Sequence, residues 1–161
     1  MASTRTEVYI HFVFAVSGRE NAISYELRES VHRYITGIVQ NNKHRMMAIN
    51  SHFDHVHMLV GLHSAQAIAD LMRDVKANSS RFINETRKSN RKFTWQEGYG
   101  AFSHSKSQCQ QVIAYIEGQE EHHAHKSFRE EYIEMLKRYD QDIEEMYFMD
   151  TYWYPDEELT A

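Results

Sequence analysis

The chain has 161 residues, 42% hydrophobic and 25% charged, which fits one domain around one core rather than two. A single cysteine, Cys109, and a single proline exclude a disulfide framework and point to a reducing, cytoplasmic setting. No apolar run approaches a membrane span, and the start Met1-Ala2-Ser3-Thr4-Arg5 lacks the apolar segment of a secretory signal.

Residues 7–16 are rich in β-branched and aromatic side chains and read as a buried strand that ends at Gly18. Apolar positions 23, 27, 31, 34 or 35, 38 and 39 recur at helical spacing and predict a helix over about 22–41, closed by Asn41-Asn42. Two short apolar runs, Arg45–Asn50 and Phe53–Leu62, flank Ser51-His52 and predict an antiparallel pair. Ser64 is the expected N-cap of a helix carrying Ile68, Leu71, Met72, Val75, Phe82 and Ile83. The glycines of Gly98-Tyr-Gly-Ala-Phe-Ser103 punctuate a last strand. Ser105 and Gln108 have capping-box spacing, so a helix opens there and carries Val112, Ile113, Tyr115, Ile116 and Gln119. Ser127 and Glu130 repeat the device for a final helix to about Asp140, followed by an acidic, aromatic tail over 141–161. Strand, helix, strand, strand, helix, strand, helix is the order of a ferredoxin-like α+β fold, an antiparallel sheet with helices packed on it.

The net charge is −5, which argues against nucleic acid only until its distribution is read. Residues 73–92 carry seven basic side chains, Arg73, Lys76, Arg81, Arg87, Lys88, Arg91 and Lys92, against Asp74 and Glu85. From Glu117 onward fourteen acidic residues face four basic ones, so the acidic total belongs to the C-terminal part. The basic stripe reads either as a phosphate-holding surface or as a solvated helix face.

His55 and His57 stand two apart in a predicted strand, so both imidazoles point to one face and can meet one metal ion. Taken alone, the pair reads equally as two buried, hydrogen-bonded histidines. Asp54 is a candidate partner for one ring nitrogen or a turn residue. A second pair, His123 and His125, falls in a predicted helix, where such spacing diverges. Tyr115 and Gln119 share a helix face at i, i+4. A hard ion such as Mg²⁺ or Mn²⁺ would accept the Gln119 carboxamide oxygen as a further ligand. Tyr115 on its own reads more readily as a core tyrosine than as a nucleophile.

Three segments occur in order: His55-Val-His57-Met-Leu-Val-Gly61, Phe93-Thr-Trp-Gln-Glu-Gly-Tyr-Gly-Ala-Phe-Ser103 and Tyr115-Ile-Glu-Gly-Gln-Glu-Glu-His-His123. Together they closely resemble the single-tyrosine HUH transposases of the smallest insertion sequences, the IS-two-hundred-like family, over roughly residues 5–140. The resemblance implies one domain over 1–140 that cleaves and rejoins single-stranded DNA at hairpin-marked ends. Carried over by position, His55, His57 and Gln119 are the ligands of Mg²⁺ or Mn²⁺, and Tyr115 is the nucleophile that forms a 5′-phosphotyrosine. It also implies a homodimer whose tyrosine helix is supplied by the partner subunit. Family members often have Asn before the glutamine; here Gly118 stands there and loosens the helix locally. Two other classes share this pattern of residues: a ferredoxin-like module that binds single strands without cutting them, and a metal-dependent hydrolase that uses water and keeps Tyr115 structural.

Overall fold

In the computed structural model, residues 3–19, 22–87, 89–123 and 126–138 are described, except the side chains of residues 19, 122 and 123. The expected tail over 141–161, His125 and Lys88 lie outside them. Among the described residues the strands and α-helices follow in this order: β1 (Tyr9–Ala15), α1 (Tyr25–Asn41), β2 (Arg45–Ser51), β3 (His55–Gly61), α2 (Ile68–Thr86), β4 (Gly100–His104), α3 (Cys109–Glu117), α4 (Gln119–His123) and α5 (Phe128–Arg138). The strands form one antiparallel sheet in the order β2-β3-β1-β4, as the ferredoxin-like reading expects. No helix among the described residues is long and apolar enough to cross a membrane.

Sheet order explains the strand sequences. β1 and β3 are central and covered on both faces, so six consecutive residues of each are buried, and they read as continuous apolar runs rather than alternating ones. β4, at an edge, alternates buried and exposed residues. β2, at the other edge, carries a register shift between Met46 and Ala48, a bulge of the kind sheet edges tolerate.

One face bears Phe12, Phe14, Val56, Met58 and Val60. Val31, Ile35 and Val39 of α1 and Leu71, Met72, Val75 and Ile83 of α2 pack against it in the main core. Tyr34 stacks on Phe82 between the two helices at 4.3 Å. Alternation sends the odd-numbered residues His11, Val13, His55, His57 and Leu59 to the opposite face. There Cys109, Val112 and Ile116 of α3 cover Ala48 and Leu59, while Phe128, Tyr132, Met135 and Leu136 of α5 cover Val13, Ala15 and Phe102. Gly100 permits this close approach, because a Cβ there would lie 2.9 Å from Phe102 and 3.0 Å from the Tyr132 hydroxyl.

Three helix starts differ in informative ways. Ser24 caps α1 through Leu27 N–H, and the Ser105–Gln108 capping box is present, opening a 3₁₀ turn, Lys106–Gln108, that runs into α3. Ser64 does not cap α2, whose N-cap is Ala67. Residues 63–66 are held instead by side-chain bonds: His63 N–H to His44 Nδ1 at 2.8 Å, Gln66 Oε1 to His44 Nε2 at 2.7 Å and Gln66 Nε2 to Asp74 at 3.1 Å. That network delays the helix by one turn.

His32 of α1 pairs with the buried Ser51 hydroxyl at 2.7 Å, tying the helix to β2. Burial, helped by the nearby Arg28 charge and opposed by Glu29, lowers its pKa to about 4. An unfolded histidine takes up its proton near pH 6.5, so this contribution to stability is complete above that pH and is lost as pH falls toward 4. Thermal melts of the native chain and His32→Gln, whose amide keeps a partner for Ser51 but does not titrate, should show the native Tm falling more steeply between pH 6.5 and 4.

Candidate active site

The two histidines of β3 are completely buried beneath α5. His55 Nδ1 lies 2.7 Å from Asp54 Oδ1; a carboxylate only accepts, so Nδ1 donates in this contact and Nε2 is the nitrogen turned toward the rest of the cluster. The ring also stacks on Phe128 at 4.0 Å between centroids and 22° between planes. Both contacts fix its orientation. His57 is gripped at both nitrogens, Nδ1 by His11 Nε2 at 2.9 Å and Nε2 by Glu131 Oε1 at 2.8 Å.

Gln119 reaches this cluster because α3 stops one residue earlier. Gly118 N–H closes the last turn on Ala114 O at 3.1 Å, and Asn50 Nδ2 of β2 donates to the carbonyls of Ile116 and Glu117 at 3.0 and 3.2 Å, satisfying groups that a helix end leaves orphaned. α4 then starts at Gln119, and Arg28 of α1 holds it by an ion pair to Glu120 at 3.1 Å. The glycine therefore splits the predicted helix in two without moving the carboxamide away: Gln119 Oε1 is 3.3 Å from His55 Nε2.

Glu131 and His11 were not among the expected site residues. Glu131 is 3% exposed. Its Oε1 is 2.8 Å from His57 Nε2 and 3.7 Å from His55 Nε2, while Oε2 receives Gln119 Nε2 at 3.4 Å. One ligand atom from each of His55, His57 and Glu131 lies within 4.8 Å of the others. Two imidazole nitrogens, a buried carboxylate and an amide oxygen form a donor set suited to a divalent ion. A buried anion also needs a positive partner, so the residues present fit such an ion.

His11, on β1 beside β3, is neutral: burial first, then the positive charge that His57 and His104 can carry, hold its pKa well below the usual histidine range. The sequence signal for it was there. His11 stands on the same strand face as the β1 partners of β3, but only knowledge of the β1–β3 pairing makes that face the one His57 occupies.

Tyr115 completes the arrangement from the same chain. Its ring centroid is 5.8 Å from that of His57 and 6.3 Å from that of His11, and its hydroxyl interacts with Glu131 and Gln119. Burial, then the Glu131 charge and hydrogen bond, push the phenol well above its ordinary range, with the Gln119 hydrogen bond opposing. A cavity of about 440 Å³ opens beside it, lined by His11, Ser103, His104, Gln108, Gln111 and Arg138 among others. The resemblance implied a tyrosine supplied by a partner subunit; within this one chain His55, His57, Gln119 and Tyr115 already meet.

The basic stripe is not brought to this site, since α2 packs on the opposite face of the sheet. Arg73 pairs with Asp70 at 3.2 Å and approaches Asp74 at 3.9 Å, and Arg81 donates to Asn78 at 3.0 Å. Lys76 is half-buried, donates to the carbonyls of Gln96 and Gly98, and has its pKa lowered to about 8 by burial. Arg87 is the C-cap of α2, and Arg91 and Lys92 are exposed in the loop beyond.

A four-stranded antiparallel sheet that carries paired histidines under a tyrosine helix places the chain among the transposases in fold. A transposase of Deinococcus radiodurans R1 superposes with a TM-score of 0.58 at 21% identity, covering 74% of this chain and 98% of that one. A REP-associated tyrosine transposase bound to a REP hairpin superposes with a TM-score of 0.56 at 13% identity, covering 76% of this chain and 74% of that one. Residues 4–119 match the family described as Transposase IS200 like, and the chain belongs to that family. No curated protein matches it. Glu131 lies beyond the matched residues.

Because His11 grips the nitrogen of His57 that faces away from Glu131, His11→Ala should weaken Mn²⁺ binding by 10- to 100-fold, the usual cost of losing a hydrogen bond behind a ligating imidazole. Titration calorimetry of the native chain and the variant measures this; equal affinities would leave His11 a packing residue.

Proposed function

We propose that this transposase cuts and rejoins single-stranded DNA through a covalent bond to Tyr115, with Mg²⁺ or Mn²⁺ held by His55, His57, Gln119 and Glu131. The observation that carries this reading is the convergence of Tyr115 and the buried donor set within one chain. When bound, the ion supplies positive charge against the negative charge that develops on the scissile phosphate.

The phenol oxygen of Tyr115 attacks phosphorus, the bond from phosphorus to the 3′ oxygen breaks, and a 5′-phosphotyrosine and a 3′-hydroxyl result. Glu131, already hydrogen-bonded to the phenol, is positioned to accept its proton. Attack by a 3′-hydroxyl on the phosphotyrosine reverses the step and restores the phenol, so strands are rejoined with no outside energy source. Burial first, and then the carboxylate's charge, oppose ionisation of the phenol, and pairing that charge relieves the second of these. A base and a nucleophile thus share one buried contact.

DNA with hairpin-marked ends is the substrate we infer, supported by the family and by the hairpin held by the REP-associated relative. Arg73, Lys76 and Arg81 of α2 and its C-cap Arg87, on the face remote from Tyr115, would meet the duplex part of such DNA through its phosphates, together with Lys88, Arg91 and Lys92, which follow them in sequence. Lys76 contributes least, its ammonium being committed to backbone carbonyls.

Tyr115→Phe should abolish both cleavage and the covalent protein–DNA adduct on a denaturing gel while leaving DNA binding intact. An adduct that persists in the variant overturns the nucleophile, and cleavage with no adduct in the native chain would mean that water attacks instead. Should two copies associate, as the resemblance implied, the site still acts in cis. Mixing Tyr115→Phe chains with His55→Ala/His57→Ala chains should restore no cleavage even when subunit exchange is verified. Recovered cleavage would establish a site shared between subunits.

A further inference from the structure

If α2 lies on the wrong face to reach the reacting phosphate, the unpaired strand needs another path, and the tyrosine face has one. The cavity beside Tyr115 extends to Ser103, His104 and Gln108. A second hollow of about 360 Å³ lies across the 3₁₀ turn Lys106–Gln108, lined by Lys43, Arg45, Lys106, His63, Glu7 and Tyr9 among others. The two adjoin: Tyr9 of the second hollow is the register partner of His104 of the first, and Lys106 and Gln108 belong to one turn. Tyr9, His11 and His104 all sit on the sheet face that carries His57. Along β3, the step from His57 to Gly61, which lines the second hollow, spans four residues, or about 14 Å.

The chemistry changes along this path. Beside Tyr115 the lining is mostly neutral, with a hydroxyl, two carboxamides and imidazoles that match the edges of an unpaired base, apolar Val112 and Met135, and one cation, Arg138, that can meet a phosphate. In the second hollow the lining is cationic. Lys43, Arg45 and Lys106 are exposed, and among the described residues only Lys106 has an acidic partner, Glu7 at 3.7 Å. Among the described residues, three cations against one carboxylate leave a positive hollow in a chain whose net charge is −5. Lys43 is held there by backbone in the left-handed region, φ 69°, at the tight turn between α1 and β2.

We propose that the unpaired strand of the DNA substrate runs along this groove, with a base beside Tyr115 and its backbone phosphates on Lys43, Arg45 and Lys106. This rests on the reading of Tyr115 as nucleophile. The groove gives that reading a direction: the strand passes from the reacting phosphate over the Lys106–Gln108 turn toward the far end of the sheet. The stripe on α2 then serves the duplex, and the two basic surfaces divide unpaired from paired DNA.

The test measures binding by fluorescence anisotropy at 50 and 200 mM salt, using a fluorescein-labelled unpaired oligonucleotide and a hairpin of equal length. K43E/R45E/K106E should bind the unpaired strand at least tenfold more weakly, and its salt slope should fall by about 2, since each phosphate contact on a single strand contributes about 0.7. R81E/R87E/R91E should weaken the hairpin more than the unpaired strand. K43Q/R45Q/K106Q guards against misfolding and should show a smaller loss in the same direction at an unchanged Tm. Unpaired-strand affinity within twofold of the native chain in both groove variants overturns the groove, as does native binding that is insensitive to salt. Adduct formation by the native chain is scored separately. An adduct with no effect of the groove variants leaves Tyr115 standing and removes the groove; a groove effect with no adduct does the reverse.

Discussion

A carboxylate buried between two imidazoles is the constraint on which the rest of the structure turns. Glu131 is 3% exposed and lies against His55 and His57, neither of them exposed at all, where an unpaired charge would cost several kcal/mol. His57, Gln119 and the Tyr115 hydroxyl supply hydrogen bonds to it, and each of these groups comes from a different element. β3, the break between α3 and α4, and α5 are therefore held in mutual register by one anion. Removing that charge, or leaving it without partners, disturbs all three elements together.

The sheet divides the labour. Its even-numbered face in β1 and β3 is an ordinary apolar core under α1 and α2, built from Phe12, Phe14, Val56, Met58 and Val60. Its odd-numbered face is mixed: Val13 and Leu59 anchor α5 and α3, and beside those anchors lie His11, His57 and His55, paired with Leu59, Val13 and Ala15 in turn. The apolar flanks exclude water from the polar centre, which strengthens every electrostatic contact within it. A rigid scaffold on one side thus orients a charged, hydrogen-bonded site on the other, and the helices that carry Tyr115 and Glu131 are the ones packed on that second side.

Much of the fold was legible because the periodicity is strong: the four strands, the helix over 25–41 and the Ser105 capping box all follow from apolar spacing and cap chemistry. Ser64 misled because a side-chain network through His44 and Gln66 outcompeted a simple cap. The pair His55 and His57 was legible from strand alternation, and Tyr115 with Gln119 from helical spacing reinforced by resemblance. Glu131 was not, because it meets His57 across 74 residues of chain and stands among fourteen C-terminal acidic residues with nothing local to mark it. His11 was hidden for a related reason: one histidine among eleven gains meaning only from its strand pairing. The basic stripe illustrates the converse. Charge clustered in sequence located a surface, but only the sheet topology reveals which side of the molecule that surface faces.

The proposed site holds one divalent ion between His55, His57, Glu131 and Gln119. Anomalous scattering from a crystal of the native chain soaked in Mn²⁺ tests it most directly. The account predicts a single strong peak within ligand distance of His55 Nε2, His57 Nε2 and a Glu131 oxygen. A peak elsewhere, or a structure in which Glu131 keeps its bond to His57 Nε2 in saturating Mn²⁺ with no peak between them, would contradict it.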